Sequence, residues 1–97
     1  MRPSQILHQR RAEVLAVMPR YPMFANLRVF GSVARGEDTE DSDIDFLVDA
    51  LPGTTLFNLG GVQDNLEQLL GLPIHFVTTD ELPPKHRDKI LLEAKPL

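Results

Sequence analysis

The chain is predicted to form a small α/β (α+β) domain, a mixed β-sheet of three to four strands packed with helices. Three observations carry this prediction. Apolar residues recur at helical spacing in residues 4–18 and 59–70, a nearly continuous apolar run Ile44-Asp45-Phe46-Leu47-Val48 lies between them, and Gly or Pro punctuates most junctions. At 97 residues the chain has room for one modest core, so residues 1–97 are read as a single domain.

Each element has a local reason. From Ser4 to Met18, the positions Leu7, Val14, Leu15 and Met18 fall on one helical face while Arg10, Arg11 and Glu13 fall on the other. Ser4 is the expected N-cap of this helix, and Pro19 and Pro22 are expected to end it. Tyr21, Met23 and Phe24 are expected to pack into the core or to form an apolar patch. Asn26 to Phe30 alternates polar and apolar residues and halts at Gly31, which predicts a strand and a tight turn. Residues 32–43 hold little apolar material and read as a loop with one helical turn. The run Ile44–Val48 predicts a strand covered on both faces. After Pro52-Gly53, the series Leu59, Val62, Leu66, Leu69, Leu70 predicts a helix weakened by Gly60 and Gly61 and stopped by Gly71. Pro73–Val77 reads as a third strand. Pro84–Ala94, with Ile90, Leu91 and Ala94 on one face and prolines in the first turn, reads as a closing helix.

Composition narrows the chemistry. There is no cysteine, which excludes a disulfide framework, a thiolate metal site and a thiol nucleophile. Ten Lys/Arg against fourteen Asp/Glu give a net charge of −4, which argues against a general nucleic-acid coat but not against a bound nucleotide. Seven of the acids, Glu37, Asp38, Glu40, Asp41, Asp43, Asp45 and Asp49, fall within thirteen positions, and the rest of the chain is net +3. No stretch approaches the roughly 20 apolar residues of a membrane span, and the first residues lead into no signal-type apolar run, so a cytoplasmic protein is expected.

Three features crowd into residues 31–45: Gly31-Ser32 after a strand, Arg35-Gly36 four residues later, and Asp43-x-Asp45 at the mouth of the next strand. Residues i and i+2 of a strand share a face, so Asp43 and Asp45 present two hard oxygen donors together, a pattern suited to Mg²⁺. Two such ions are a known device for in-line phosphoryl or nucleotidyl displacement. Gly31 lets the backbone approach a phosphate, and Ser32 opens a turn whose N–H groups and hydroxyl face an anion. The guanidinium of Arg35 is placed to pair with a triphosphate oxygen. A Gly-Ser turn alone is more often an ordinary turn, and an acidic run more often a solvated face; the combination at fixed spacing carries the reading. Glu37, Asp38, Glu40 and Asp41 are expected to be a solvated spacer that adds negative potential.

Gly31-Ser32-Val33-Ala34-Arg35-Gly36 followed by Ser42-Asp43-Ile44-Asp45-Phe46-Leu47-Val48 closely resembles the signature of minimal nucleotidyltransferases of the DNA polymerase β superfamily, G-S-x-A-R-G, an acidic spacer, then S-D-x-D and an apolar strand. The resemblance implies the nucleotidyltransferase (polymerase β palm-like) fold for the whole chain. It also implies that Gly31, Ser32 and Arg35 bind the triphosphate and that Asp43 and Asp45 ligate Mg²⁺, with two ions expected alongside the nucleotide. The implied reaction is transfer of a nucleoside monophosphate, AMP, from the triphosphate, ATP, to an acceptor hydroxyl. Members of this size resemble antitoxins paired with a helical HEPN-domain ribonuclease toxin, whose tyrosine they adenylylate. Such a small transferase is expected to have its acceptor side completed by that partner or by a second copy of itself.

One position departs from the family pattern. A third carboxylate is normally found on the strand after the long helix, and the matching stretch here is Ile74-His75-Phe76-Val77. Three readings of His75 stand side by side: a partly buried histidine without a role, a substitute ligand or base, or the mark of a degenerate site retained for binding. The last would leave a nucleotide-binding antitoxin that neutralises its partner by contact alone. Asp49 and Asp80 are the other acids considered for the third position, but Asp49 lies roughly 13 Å beyond Asp45 along the strand. His8 and His86 are assigned no role.

Overall fold

A computed structural model describes all residues, Met1–Leu97. The elements run α1 (Pro3–Gln9), α2 (Arg11–Val17), a 3₁₀ turn (Met18–Arg20), β1 (Phe24–Phe30), α3 (Gly31–Arg35), β2 (Ile44–Ala50), α4 (Leu56–Leu70), β3 (Ile74–Thr78), a second 3₁₀ turn (Thr79–Glu81), α5 (Arg87–Glu93) and β4 (Lys95–Pro96). The sheet order is β3-β2-β1-β4, with β1 antiparallel to β2 and β4, and β3 parallel to β2. This is the predicted mixed sheet, at its four-strand limit.

Strand β2 is central, which explains its apolar run. Ile44, Phe46, Leu47 and Val48 are all fully buried. Ile44, Phe46 and Val48 join a core with Val62, Leu66 and Leu70 of α4, Val14 and Val17 of α2, and Leu7 of α1. Phe76 packs edge-on to Phe24 at 5.3 Å and tilted to Phe46 at 6.3 Å, which closes the core toward the edge strand. Phe24 is buried and Tyr21 and Met23 pack against the core, so that connection is core rather than a patch. Helix α4 tolerates Gly60 and Gly61 because its start is held by a capping box between Thr55 and Asn58 and its apolar face is sealed by packing. Gly71 ends it in the left-handed conformation, as predicted.

Several expectations are corrected. The predicted single helix 4–18 is two, broken at Arg10, whose φ of −102° and ψ of 13° are not helical. Ser4 is not the N-cap: the helix begins at Pro3, whose missing N–H suits the first position, and the Ser4 N–H instead donates to Asp38 Oδ2 at 2.8 Å. Leu15 lies outward, and Val17 takes its place in the core. Asp38 is not part of a solvated spacer but is buried, because its carboxylate anchors α1 to the acidic loop. The closing helix starts at Arg87, after the prolines, since Pro83 and Pro84 form a turn closed by the His86 N–H. Its inward positions include Glu93, half-buried beside Ile90 and Ala94.

Candidate active site

The fold gathers the predicted residues at one end of the sheet. β1 ends and β2 begins there, paired so that Phe30 lies opposite Asp45, which puts Gly31 immediately beyond that carboxylate. On the other side of β2, Asp45 is in register with His75 of the parallel strand β3. Directly paired residues point to the same face of a sheet, so Asp43, Asp45 and His75 converge although 30 residues separate the last two.

The contacts are short. His75 Nδ1 lies 2.9 Å from Asp45 Oδ1, and His75 Nε2 lies 3.5 Å from Asp43 Oδ2. The imidazole therefore bridges the two carboxylates, while its side chain is 62% exposed. The ring is exposed rather than partly buried. Burial pushes the Asp45 carboxyl above its ordinary range, only partly opposed by the hydrogen bond and charge of His75.

Gly31 has a reason of its own. It adopts φ +70°, and a Cβ placed there would lie 2.3 Å from Asp45 Oδ2. The glycine thus meets two demands at once, a left-handed turn out of β1 and space for the carboxylate. Ser32 follows in the first turn of α3, half-buried. Its carbonyl accepts the Glu37 N–H at 2.9 Å, which turns the chain into the acidic loop. Ser42 Oγ, one residue before Asp43, accepts the Thr39 N–H at 2.9 Å and fixes the loop's return to β2.

Arg35 reaches the same end of the sheet, but its guanidinium is already engaged. It donates to Glu93 Oε1 at 2.8 Å and to Glu37 Oε2 at 3.0 Å. Glu93 also accepts the Gly31 N–H through Oε2 at 2.7 Å. Burial alone would raise the Glu93 carboxyl, yet the hydrogen bonds from Arg35 and Gly31 outweigh it and hold the group below its ordinary range. Glu93 is the residue that sequence reasoning missed. It lies 62 positions from Gly31, in a helix whose predicted inward face was apolar, and no local signal marks it. Asp49 stands apart from the site, bound to Asn26 at 2.7 Å and Arg28 at 2.7 Å. Asp80 lines a separate pocket of about 530 Å³ at the far end of the sheet, beside Leu51, Leu56 and Leu59. Neither replaces the third carboxylate.

The donor set fits a divalent cation. Asp43 and Asp45 supply oxygen donors on one face. Beside them sit the Gly31-Ser32 turn and a guanidinium.

The family model of the nucleotidyltransferase domain matches residues 16–97, which spans the end of the second helix, the whole sheet and every residue of this site. The chain belongs to the nucleotidyltransferase domain family. It is an enzyme of the nucleotidyltransferase type. Protein adenylyltransferase MntA of Thermococcus cleftensis is 44% identical over 66 residues, 68% of this chain and 67% of that protein. MJ0435 of Methanocaldococcus jannaschii, provisionally named a protein adenylyltransferase, is 41% identical over 66 residues, 68% of this chain and 71% of its own length. A solved structure provisionally described as a minimal nucleotidyltransferase superposes with a TM-score of 0.84 at 42% identity, covering 97% of this chain and 95% of that one. A chain of a toxin–antitoxin crystal structure with AMP-PNP shares the fold, with a TM-score of 0.75 at 17% identity over 88% of this nucleotidyltransferase and 69% of that chain. No helix of the nucleotidyltransferase is long and apolar enough to cross a membrane.

Proposed function

We propose that this nucleotidyltransferase is an Mg²⁺-dependent protein adenylyltransferase, the antitoxin of a pair whose other member is a HEPN-type toxin. The observation that carries the reading is the meeting of Gly31, Asp43, Asp45 and His75 at one sheet end, beside Arg35, in a chain similar to named protein adenylyltransferases.

In this reading the acceptor hydroxyl oxygen attacks the α-phosphorus of ATP, the bond to the bridging oxygen of the β-phosphate breaks, and pyrophosphate leaves. The hydroxyl proton passes to His75, which stands beside both carboxylates. Asp43 and Asp45 hold the cation, which when bound neutralises charge on the phosphoryl oxygens. The Gly31-Ser32 turn orients the triphosphate. Arg35 joins it by exchanging a carboxylate partner for phosphate, a like-for-like replacement of one oxyanion by another. The carboxylates of Asp43 and Asp45 give the site a negative field before metal arrives, so the phosphate substrate comes as its metal complex.

The test is transfer of label from α-labelled ATP to the protein encoded beside this one. Asp43→Ala and Asp45→Ala should each abolish it. Absence of transfer to that partner with any nucleoside triphosphate would sink the reading. A second reading, neutralisation by binding alone, draws on the place of His75 between the two carboxylates, where the family pattern has an acid. Under it, the Asp43→Ala protein still neutralises its partner; under the first, neutralisation disappears with transfer.

A further inference from the structure

Two carboxylates hold the guanidinium of Arg35, and they hold it differently. Glu37 is close in the chain, its side chain is 65% exposed, and it accepts a single hydrogen bond, from Arg35 Nε at 3.0 Å. Glu93 is 15% exposed and divides its oxygens: Oε1 accepts from Arg35 Nη1 at 2.8 Å, and Oε2 accepts the Gly31 N–H at 2.7 Å. This one carboxylate spans α3 from end to end, fixing the glycine at its start and the arginine at its finish. The helix that carries it has no buried residue, and the neighbouring Leu92 is exposed. Apolar packing therefore does little to seat α5 on α3, and the carboxylate supplies the tie.

One cation flanked by two anions is a net negative group, so a polyphosphate drawn to Arg35 is repelled by whichever carboxylate the arginine does not need. Which of them gives way follows from what each would lose. Glu37 returns to water from an exposed ion pair, a contact worth little. Glu93 would break a more enclosed pair, strand the Gly31 N–H without an acceptor and loosen α5. We propose that Glu93 is a positioning residue for the nucleotide, staying on Gly31 and Arg35 while the triphosphate is bound, and that Glu37 is the exchangeable partner of Arg35, whose place a phosphate oxygen takes. The proposal rests on the reading of Arg35 and the Gly31-Ser32 turn as the seat of the triphosphate and deepens it. Glu93 keeps the Gly31 amide aimed at α5, so the peptide leading into Ser32 holds one orientation. It keeps Arg35 by Nη1, so Nε is the edge that Glu37 surrenders to the phosphate.

The full chain, without its partner, is dialysed to equilibrium against labelled ATP in excess Mg²⁺, and each variant is also melted. Glu37→Gln should bind ATP about threefold tighter, the effect of removing one exposed competing charge. Glu93→Gln keeps an oxygen for the Gly31 N–H but loses the charge and the acceptor for Arg35, and should bind ATP about tenfold weaker. In an Arg35→Ala background the Glu93→Gln effect should shrink, because the two residues act through one contact. A merely structural role for Glu93 would lower Tm and leave the ATP affinity of the folded protein unchanged. Hydrogen exchange of the Gly31 amide in the unsubstituted chain decides the matter even if a variant fails to fold: it should stay as slow with ATP bound as without it. Unchanged or tighter binding in Glu93→Gln, unchanged or weaker binding in Glu37→Gln, faster Gly31 exchange with ATP bound, or no ATP binding by the unsubstituted chain overturns the proposal. Failure of the transferase reading looks different: ATP binds with these variant effects, and no AMP reaches the partner.

Discussion

Replacing Gly31 by alanine separates two costs that this position combines. The first is conformational: a side chain at φ +70° costs about 1–2 kcal/mol. The second is local, because the new Cβ would sit 2.3 Å from Asp45 Oδ2 and 3.3 Å from its Cγ. No atoms pack that closely, so Asp45 must leave its rotamer, at about 0.5–1.5 kcal/mol, and give up its hydrogen bond to His75, worth about 0.5–1 kcal/mol at this half-open site. Gly36 is a built-in control, with φ +71° and nothing within 4 Å of a methyl placed there. Gly36→Ala should therefore show the conformational cost alone. Gly31→Ala should lie about 1–2.5 kcal/mol below it, roughly 4–20 °C in Tm for a domain of this size. The assay is urea and thermal unfolding in chelator, repeated in an Asp45→Ala background. There only the Cβ of residue 45 remains near the new methyl, at 3.7 Å, an ordinary contact. The two substitutions should thus couple by about 1–2.5 kcal/mol. Coupling below about 0.5 kcal/mol, or equal costs at Gly31 and Gly36, would refute the claim that Gly31 is there to make room for Asp45.

Three further outcomes follow from the same contacts. Asp38 is held below the ordinary carboxylate range: burial pushes it up, but the Ser4 hydrogen bonds and the charge of Arg2 outweigh this. A depressed folded-state value means its stabilisation is complete above the unfolded-state value of about 3.9 and lost as pH falls through the folded one. Asp38→Asn should therefore cost stability at pH 7 and progressively less below about pH 4; an equal deficit at both ends of a pH series of urea melts would contradict it. Glu93→Ala removes the acceptor shared by the Gly31 N–H and Arg35, so hydrogen exchange at the Gly31 amide should quicken and α5 should loosen from α3, with the rest of the sheet unchanged. Leu66→Ala opens a hole under fully buried β2 and should destabilise by about 2–5 kcal/mol, read as a lower midpoint in urea melts.

The elements that sequence reasoning located correctly are those whose cause is local. The run at Ile44–Val48 announced a central strand because only a strand covered on both faces is apolar at nearly every position. Gly31 and Gly71 announced turns because the backbone there is left-handed. The Asp43-x-Asp45 spacing announced a shared face because strand periodicity is two. Where the cause is distant, the reading failed or was silent. The acidic run looked like one solvated segment, yet Asp38 is buried because the Ser4 amide, 34 residues away, needs its carboxylate. The break at Arg10 carries no Gly or Pro to mark it.

The candidate site shows the same division. The residue types and their order along the chain are a property of the sequence: a glycine turn, an arginine, two acids two residues apart, and a histidine where a third acid is the pattern. Their meeting is not. A parallel register between β2 and β3 sets His75 beside Asp45, and antiparallel pairing sets Gly31 beyond the same carboxylate. The return of α5 brings Glu93 onto Gly31 and Arg35. Periodicity is a short-range property that a linear pattern can display. Register and helix docking depend on side chains 30 to 62 residues apart competing for one core and one set of hydrogen bonds, and only the folded chain settles that competition.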